Sequence, residues 1–217
     1  MHVAAVLLRR GLFMLKMAAK RMFDIATASV GLVILSPVFL VIAVQIKRDD
    51  HGPVFFRQRR VGRHGRAFNI LKFRTMVVDA EKLGLQITSR SDQRITRIGK
   101  TLRRTKLDEL PQLINVVTGD MSIVGARPEV PHYVELWPES ERVVILALRP
   151  GITDPATIEF RDEETILAQS PDPEKAYVSE ILPRKVALYL RYARGHSFLG
   201  DLGIIIQTLR LLSRSRG

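Results

Sequence analysis

A long apolar segment dominates the pattern of hydrophobic and polar positions along the chain. From Ile25 to Ile46 there are 22 consecutive residues without a charged side chain. As a straight helix this segment would reach about 33 Å, close to the thickness of the hydrocarbon layer of a bilayer. Ser36-Pro37 stands near its middle, where proline removes a backbone hydrogen bond and favours a kink or break. The pattern therefore predicts a membrane segment that is broken at Ser36-Pro37.

Basic residues flank this segment on both sides. They are Lys16, Lys20 and Arg21 before it, and Lys47, Arg48, Arg57, Arg59 and Arg60 after it. A helix that crossed the bilayer would carry one basic flank away from the cytoplasm, against the positive-inside tendency. A re-entrant hairpin that bends at Ser36-Pro37 keeps both flanks on one face, and we favour it over a spanning helix. Residues 1–21 alternate apolar and basic positions and predict an amphipathic lead-in at the membrane surface.

The rest of the chain predicts an α+β fold that is mostly helical and lies in the cytosol. Two short strands, 54–56 and 67–73, are expected to form a β-hairpin around the Gly62 to Gly65 loop. Periodic apolar positions predict helices over 75–84, 95–107, 132–148, 176–194 and 201–212, with others starting near Asp108 and Asp162. Residues 85–95 are polar and fit a mobile loop. Because no linker divides the later part, we expect two regions: a membrane part over 1–48 and a catalytic domain over 49–217.

The acidic pair Asp108-Glu109 is the clearest candidate for a catalytic site in the sequence. Pro111 is tolerated only in the first turn of a helix, so a helix should begin close to Asp108. At such a position the helix dipole keeps a carboxylate ionised and also attracts phosphate. The alternative is structural: Asp108 as a simple N-cap, with Glu109 as a partner of the dipole. The pattern alone leaves both interpretations open.

Cations surround this pair in the sequence. Arg103, Arg104 and Lys106 precede it, and Arg127 follows the next turn. A carboxylate among cations can act as a nucleophile or metal ligand beside a phosphorylated substrate. Arg127 lies in Gly125-Ala126-Arg127-Pro128, where small neighbours suit a backbone close to a ligand and a guanidinium that clamps a diphosphate. An ordinary loop with a surface arginine is the alternative.

Charge and composition narrow the choice of partners only in part. The chain has 34 Lys and Arg against 22 Asp and Glu, a formal charge of +12. Such a surface attracts nucleic acid, anionic lipid or phosphorylated substrates. The absence of cysteine excludes thiol nucleophiles and cysteine-based zinc sites. Phenylalanines in the predicted hairpin could stack on bases, but their alternate spacing favours a half-buried strand.

The order of several motifs resembles one family, the bacterial sugar transferases, which are monotopic phosphoglycosyl transferases acting on polyprenyl phosphate. The motifs are Lys20-Arg21-x-x-Asp24, Ser36-Pro37, the run from Gly52-Pro53 to Gly62, Lys72-Phe73-Arg74-Thr75-Met76, Leu107-Asp108-Glu109-Leu110-Pro111-Gln112-Leu113 and Gly119-Asp120-Met121-Ser122. The resemblance covers residues 20 to about 161. It corresponds to the small form of the family, which consists of the catalytic core.

This resemblance implies a reaction and a location. The expected activity is transfer of a sugar 1-phosphate from a nucleotide diphosphate sugar, usually a UDP-sugar, to polyprenyl phosphate such as undecaprenyl phosphate. The reaction would release UMP and begin the membrane stage of exopolysaccharide or lipopolysaccharide synthesis. The protein is expected on the cytoplasmic face of the bacterial inner membrane. Its expected partners are the two substrates, membrane phospholipid and downstream glycosyltransferases, without nucleic acid.

The resemblance also implies roles for individual residues. Asp108 would attack the phosphate and hold the sugar phosphate covalently, with Mg²⁺ at Asp108 and Glu109. Glu109 would assist with the metal or with proton transfer. Binding of phosphates and nucleotide is expected from Arg103, Arg127 and Pro128, and more weakly from Lys72, Arg74 and Arg161. Two departures from the family pattern, at Ala126 and at Asp154-Pro155, affect positions linked to the selectivity for nucleotide and sugar.

Two interpretations from other functional classes compete with this one. A membrane-tethered nucleic-acid binder would explain the positive charge but leaves Asp108-Glu109 without a role, and it predicts salt-sensitive binding to any oligonucleotide. A non-catalytic partner in polysaccharide export would be favoured if the acidic pair were missing, and the pair is present.

Overall fold

Helices make up most of the structure, a computed structural model that describes residues 2–80 and 92–214. The helices are α1 (His2–Asp50), α2 (Arg97–Thr105), α3 (Gln112–Thr118), α4 (Pro131–Glu135), α5 (Glu139–Ile145), α6 (Pro155–Glu159), α7 (Glu163–Ala168), α8 (Pro173–Ala176), α9 (Leu182–Gly195) and α10 (Phe198–Arg214). The strands are β1 (Phe55–Val61), β2 (Ala67–Phe73), β3 (Ser122–Val124) and β4 (Gly151–Thr153). Short 3₁₀ turns lie at Arg63–Gly65 and Leu107–Glu109, and a π-helical turn, Tyr177–Ile181, leads into α9. The predicted α+β class with a small hairpin is confirmed.

The apolar segment forms part of one continuous helix, α1, which passes through Pro37. The predicted division into two helices at Ser36-Pro37 is therefore not found. Proline cannot donate to the Val33 carbonyl one turn earlier, but the Ser36 hydroxyl donates to that carbonyl at 2.8 Å. The hydroxyl replaces the missing backbone donor, which allows the helix to continue. How the segment enters a membrane stays a prediction.

Each end of this apolar segment packs against the later part of the chain. At one end Asp24 accepts hydrogen bonds from the Ser122 hydroxyl at 2.7 Å and from the Ile123 N–H at 3.1 Å. At the other end Ile46 is buried in a cluster with Phe73. Between these contacts most large side chains are exposed, so α1 presents an apolar surface that the described residues do not cover. Within those residues, one helical stretch, Met14–Asp50, is long and apolar enough to cross a bilayer.

The Lys20-Arg21 pair ties α1 to the rest of the chain. Lys20 donates to the Asp201 carboxylate of α10 at 2.6 Å. Arg21 donates to the carbonyls of Val116 and Val117 at 2.7 Å and 3.2 Å. Both carbonyls lie in the last turn of α3, where the negative end of the helix dipole favours a cation.

The β-hairpin agrees with the sequence prediction and is longer than expected. β1 and β2 are antiparallel, with Phe55 opposite Phe73 and Val61 opposite Ala67. Phe73 is 1% exposed, and its ring contacts those of Phe39 and Phe55 at centroid distances of 5.0 Å and 5.6 Å. Phe73 is thus a core residue rather than a platform for stacked bases.

Three helix predictions need correction. The helix expected over 132–148 is split into α4 and α5, because Pro138 disfavours helical geometry in the residue before it. No α-helix is found over residues 75–80, where Met76 instead forms an isolated bridge with Ile95. Residues 81–91 lie outside the described part of the chain. They include the rest of the helix predicted over 75–84 and most of the loop predicted over 85–95.

The helix predicted to begin near Asp108 starts later in the chain. A 3₁₀ turn, Leu107–Glu109, precedes α3, which begins at Gln112 with Pro111 as its N-cap. Asp108 therefore lies before the α-helix and outside its first turn. The dipole of α3 is not what determines its ionisation.

Candidate active site

A sharp change of direction presents the acidic pair. α2 ends at Thr105, and its C-cap residue, Lys106, has a left-handed backbone conformation with φ of 57°. Residues other than glycine rarely adopt this backbone conformation, since it costs roughly 1–2 kcal/mol. The 3₁₀ turn with Asp108 and Glu109 follows at once. Strain of this kind is often found beside functional groups.

Close packing between α2 and the end of β2 fixes the position of Arg103. A Cβ on Gly99 would overlap the carbonyl oxygen of Thr75, so only glycine allows this approach. Arg103 then reaches the Thr75 hydroxyl, which accepts a hydrogen bond from its Nε at 2.9 Å. The other guanidinium nitrogens of Arg103 make no hydrogen bond with the described residues and can meet a phosphate.

Glu109 is held by two cations. Its Oε1 accepts a hydrogen bond from Lys72 Nζ at 2.8 Å, and Arg127 contacts both carboxylate oxygens, with Nη1 to Oε2 at 3.3 Å. Burial alone would raise the pKa of Glu109, but the charges of Arg127 and Lys72 outweigh it and hold the pKa well below its usual range. Glu109 is therefore ionised and fixes both cations in the site.

Asp108 differs from its neighbour in its hydrogen bonding. The residue is 7% exposed, and its Oδ1 is buried without a hydrogen bond to any described residue. Burial raises the pKa of Asp108, Lys72 opposes the shift and the charge of Glu109 adds to it. Burial therefore opposes ionisation of Asp108, and the dipole of α3 gives no compensation of the predicted kind, because Asp108 lies before that helix. A buried carboxylate oxygen without a partner is uncommon and points to a ligand or a reacting atom.

Arg127 reaches the pair from a loop that two glycines make possible. β3 and β4 are parallel, with Ser122 opposite Gly151. The backbones at Gly125 and Gly151 come so close that a Cβ on either residue would overlap the other strand or the turn before it. Pro128, next to Arg127, is buried, and its carbonyl accepts a hydrogen bond from Arg60 at 3.1 Å. The close approach of these two backbone segments directs Arg127 towards Glu109.

The structure unites some of the predicted site residues and separates others. Asp108, Glu109, Lys72 and Arg127 form one cluster, and Arg103 lies near enough to influence the Asp108 carboxylate.

Two of the weaker candidates lie elsewhere. Arg74 is buried against the Asp50 carboxylate and the carbonyls of Pro53 and Met76, where it anchors the end of α1. Arg161 is exposed after α6, without a hydrogen bond or ion pair to the described part of the chain. The structure thus gives Arg74 a supporting position and leaves Arg161 at the surface.

Two further polar residues lie near the site, and the first of them, Gln112, was not singled out from the sequence. Gln112 is fully buried, and neither atom of its amide has a partner among the described residues. A polar residue one turn after Asp108 in an apolar pattern is a signal that could have identified it. Asp154 is also fully buried, where it caps α6 by accepting from the Ala156 and Thr157 N–H groups at 2.6 Å and 3.0 Å. This gives the departure Asp154-Pro155 a structural role at the start of α6.

The acidic pair offers Mg²⁺ few protein ligands. No group of three or more His, Cys, Asp or Glu side chains suited to a metal occurs within residues 2–80 and 92–214. Mg²⁺ commonly uses only one or two carboxylates, together with substrate phosphates and water. The Asp108 carboxylate, which makes no hydrogen bond with the described residues, suits this arrangement. The oxygens of Glu109 are already engaged by Lys72 and Arg127, which makes Asp108 the better ligand.

Comparison with known proteins finds relatives that match this chain over most of its length. The profile of the family described as bacterial sugar transferase matches residues 15–215. "Exopolysaccharide production protein ExoY" of Rhizobium meliloti is 35% identical over 214 residues, which cover 92% of this chain and 87% of that protein.

Two larger relatives match over only part of their length. "Undecaprenyl-phosphate glucose phosphotransferase" of Komagataeibacter xylinus is 39% identical, over 94% of this chain and 38% of its own. "UDP-glucose:undecaprenyl-phosphate glucose-1-phosphate transferase" of Escherichia coli is 39% identical, over 88% and 39%. The family indicated by the sequence motifs is therefore confirmed: this chain belongs to the bacterial sugar transferases.

Proposed function

We propose that this protein transfers a sugar 1-phosphate from a UDP-sugar to polyprenyl phosphate through a covalent intermediate on Asp108. The observation that carries the proposal is the buried Oδ1 of Asp108, to which no described residue donates, beside a carboxylate that already holds Lys72 and Arg127. The names of the E. coli and K. xylinus relatives support the substrate classes.

In the first step Asp108 Oδ1 attacks the phosphorus that carries the sugar. The bond between that phosphorus and the oxygen bridging the two phosphates breaks, so UMP leaves and an aspartyl phosphosugar forms. Lys72 and Arg127 are placed to stabilise the charge that develops on the phosphate oxygens, because Glu109 holds both cations in advance. Mg²⁺, when bound, would neutralise diphosphate charge and assist the departure of UMP.

In the second step an oxygen of the lipid phosphate attacks the same phosphorus. The bond to Asp108 breaks, which regenerates the carboxylate and yields the polyprenyl-diphosphate-sugar. Asp108 must be deprotonated at the start of each cycle. The positive charges of Lys72, Lys106 and Arg103 favour that form against the effect of burial.

Intact mass of the purified protein tests this route directly. After mixing with Mg²⁺ and a panel of UDP-sugars, without lipid acceptor, we expect an added mass of one sugar phosphate. A GDP-sugar serves as the nucleotide control and should give no adduct. Addition of polyprenyl phosphate should then remove the added mass. A protein that forms no adduct, yet consumes UDP-sugar once the lipid is present, would contradict the covalent route and favour direct transfer.

The proposed location is the cytoplasmic face of the bacterial inner membrane, with the apolar part of α1 in the bilayer as a re-entrant segment. α10 supports an interfacial arrangement, since Phe198, Leu199 and Leu209 are exposed apolar residues on this helix. The Phe198 ring meets that of Phe23 in α1 at 5.1 Å, which joins α10 to α1 just before its apolar segment. Such a surface suits a helix lying at the boundary between headgroups and acyl chains.

Single cysteines can test the topology cleanly, since the native chain has none. We expect Lys16→Cys and Arg48→Cys to react with an impermeant maleimide from the cytoplasmic side only, because a re-entrant segment keeps both flanks there. Ile34→Cys, a position exposed in the isolated structure, should be protected by lipid. Labelling of the two flanks from opposite sides would show that α1 spans the membrane.

A further inference from the structure

A buried network of charges lies directly behind Arg127. Its centre is Glu129, which is 6% exposed and two residues further along the same loop. The Tyr177 hydroxyl donates to Glu129 Oε1 at 2.8 Å. Arg60 and Lys185 approach the same carboxylate at 3.6 Å and 3.7 Å. Glu129 is therefore where three elements of the structure meet: β1, the π-helical turn and α9.

Arg60 links this network to the candidate active site. Its guanidinium donates to the Pro128 carbonyl at 3.1 Å and to Gln58 Oε1 at 2.6 Å. Burial lowers the pKa of Arg60, the Glu129 carboxylate opposes this shift and the positive charge of Arg127 adds to it. Arg60 and Arg127 thus repel each other, and Glu129 supplies negative charge beside Arg60.

Two further contacts help to hold the loop that contains Arg127 and Glu129. The Val61 N–H of β1 donates to the Glu129 carbonyl at 3.0 Å. Lys185 in α9 also pairs with Glu163 at 2.7 Å. The short segment from Arg127 to Glu129 is therefore fixed between the hairpin and the C-terminal helices.

We propose that Glu129 is a positioning residue that sets the placement of Arg127 for the diphosphate of the donor. By balancing Arg60, it prevents a second guanidinium from displacing Arg127 at Glu109. A buried group of charges is costly compared with apolar packing, so stability alone gives a weak reason to place one here. The inference rests on the proposed function, because it assigns Arg127 to the phosphates of a UDP-sugar.

A double-mutant cycle tests this coupling. The four proteins are wild type, Glu129→Gln, Arg127→Lys and the double variant, each assayed for sugar 1-phosphate transfer and for binding of UDP with Mg²⁺ by calorimetry. In the wild-type background we expect Glu129→Gln to lower kcat/KM for the donor and the UDP affinity by roughly tenfold, since a small displacement of a catalytic group has effects of this order. In the Arg127→Lys background, where the two-pronged contact is already lost, the same change should cost less than twofold.

Controls separate positioning from folding. Glu159→Gln is a matched change at the surface pair with Arg184, and it should leave both measurements unchanged in both backgrounds. If Glu129→Gln does not fold, Tyr177→Phe removes one hydrogen bond to the carboxylate. It should then cause about a threefold loss that likewise disappears with Arg127→Lys.

The possible outcomes distinguish the two proposals. Equal losses in both backgrounds, or no loss in a folded variant, would overturn the role of Glu129 and leave the proposed function standing. A wild-type protein that neither binds UDP nor transfers sugar phosphate from any UDP-sugar would overturn the proposed function, and this inference with it.

Discussion

Replacement of Asp108 by asparagine is expected to abolish both the covalent adduct and sugar 1-phosphate transfer, by more than roughly a thousandfold. An amide of the same shape cannot supply the oxygen nucleophile that forms the aspartyl phosphosugar. Glu109 cannot replace it, because its oxygens are held by Lys72 and Arg127. The rate of UMP release and the intact mass with a UDP-sugar measure the two effects.

The same variant should fold at least as well as the wild type. Because burial raises the pKa of Asp108, this group favours the folded state at low pH, and that contribution is lost as pH rises through the folded-state pKa. Ionisation of the buried carboxyl at pH 7 destabilises the folded state, and asparagine cannot ionise. The Tm of Asp108→Asn at pH 7 should therefore equal or exceed that of the wild type, with the difference narrowing as pH falls. Loss of activity with retained Tm would separate chemistry from folding.

Asp172→Asn provides a matched control, since Asp172 is an exposed N-cap of α8. It should retain transfer activity, and asparagine caps helices nearly as well as aspartate. An Asp108→Asn protein that still forms the sugar phosphate adduct would contradict the assignment of the nucleophile.

Replacement of Gly99 by alanine is expected to lower the free energy of unfolding by about 3 kcal/mol and to reduce transfer sharply. The added Cβ would overlap the backbone of Thr75, which cannot move without disturbing the end of β2. α2 would have to shift, and with it Arg103 and the turn that carries Asp108. Thermal unfolding and the donor KM measure the two consequences.

The control for this change is Gly203→Ala in α10, where an added Cβ meets no atom within 4 Å. Alanine favours helices over glycine by about 1 kcal/mol, so this variant should be as stable as the wild type or more so. If Gly99→Ala matched Gly203→Ala in both Tm and activity, the close contact between α2 and Thr75 would be unimportant.

Several features could be predicted from the sequence because they depend on local order. The hairpin around Gly62 to Gly65 follows from strand-forming residues on both sides of a glycine turn, and β2 was predicted with its observed bounds. The site cluster of Asp108, Glu109 and Arg127 followed from its motifs. Pro138 and Ser36-Pro37 show the limits of local reasoning. At Pro138 the proline divides a helix, whereas at Pro37 a neighbouring hydroxyl supplies the missing donor and the helix continues.

The sequence by itself determined the apolar segment, the family and the residues proposed to carry the chemistry, because these depend on residue type and spacing along the chain. Only the tertiary structure decided how the acidic pair divides its tasks. Glu109 meets Lys72 and Arg127, which are 37 and 18 positions away, while the buried Oδ1 of Asp108 has no hydrogen-bond partner among the described residues. Burial and long-range ion pairing control the ionisation of both carboxylates, and neither is visible in the order of residues.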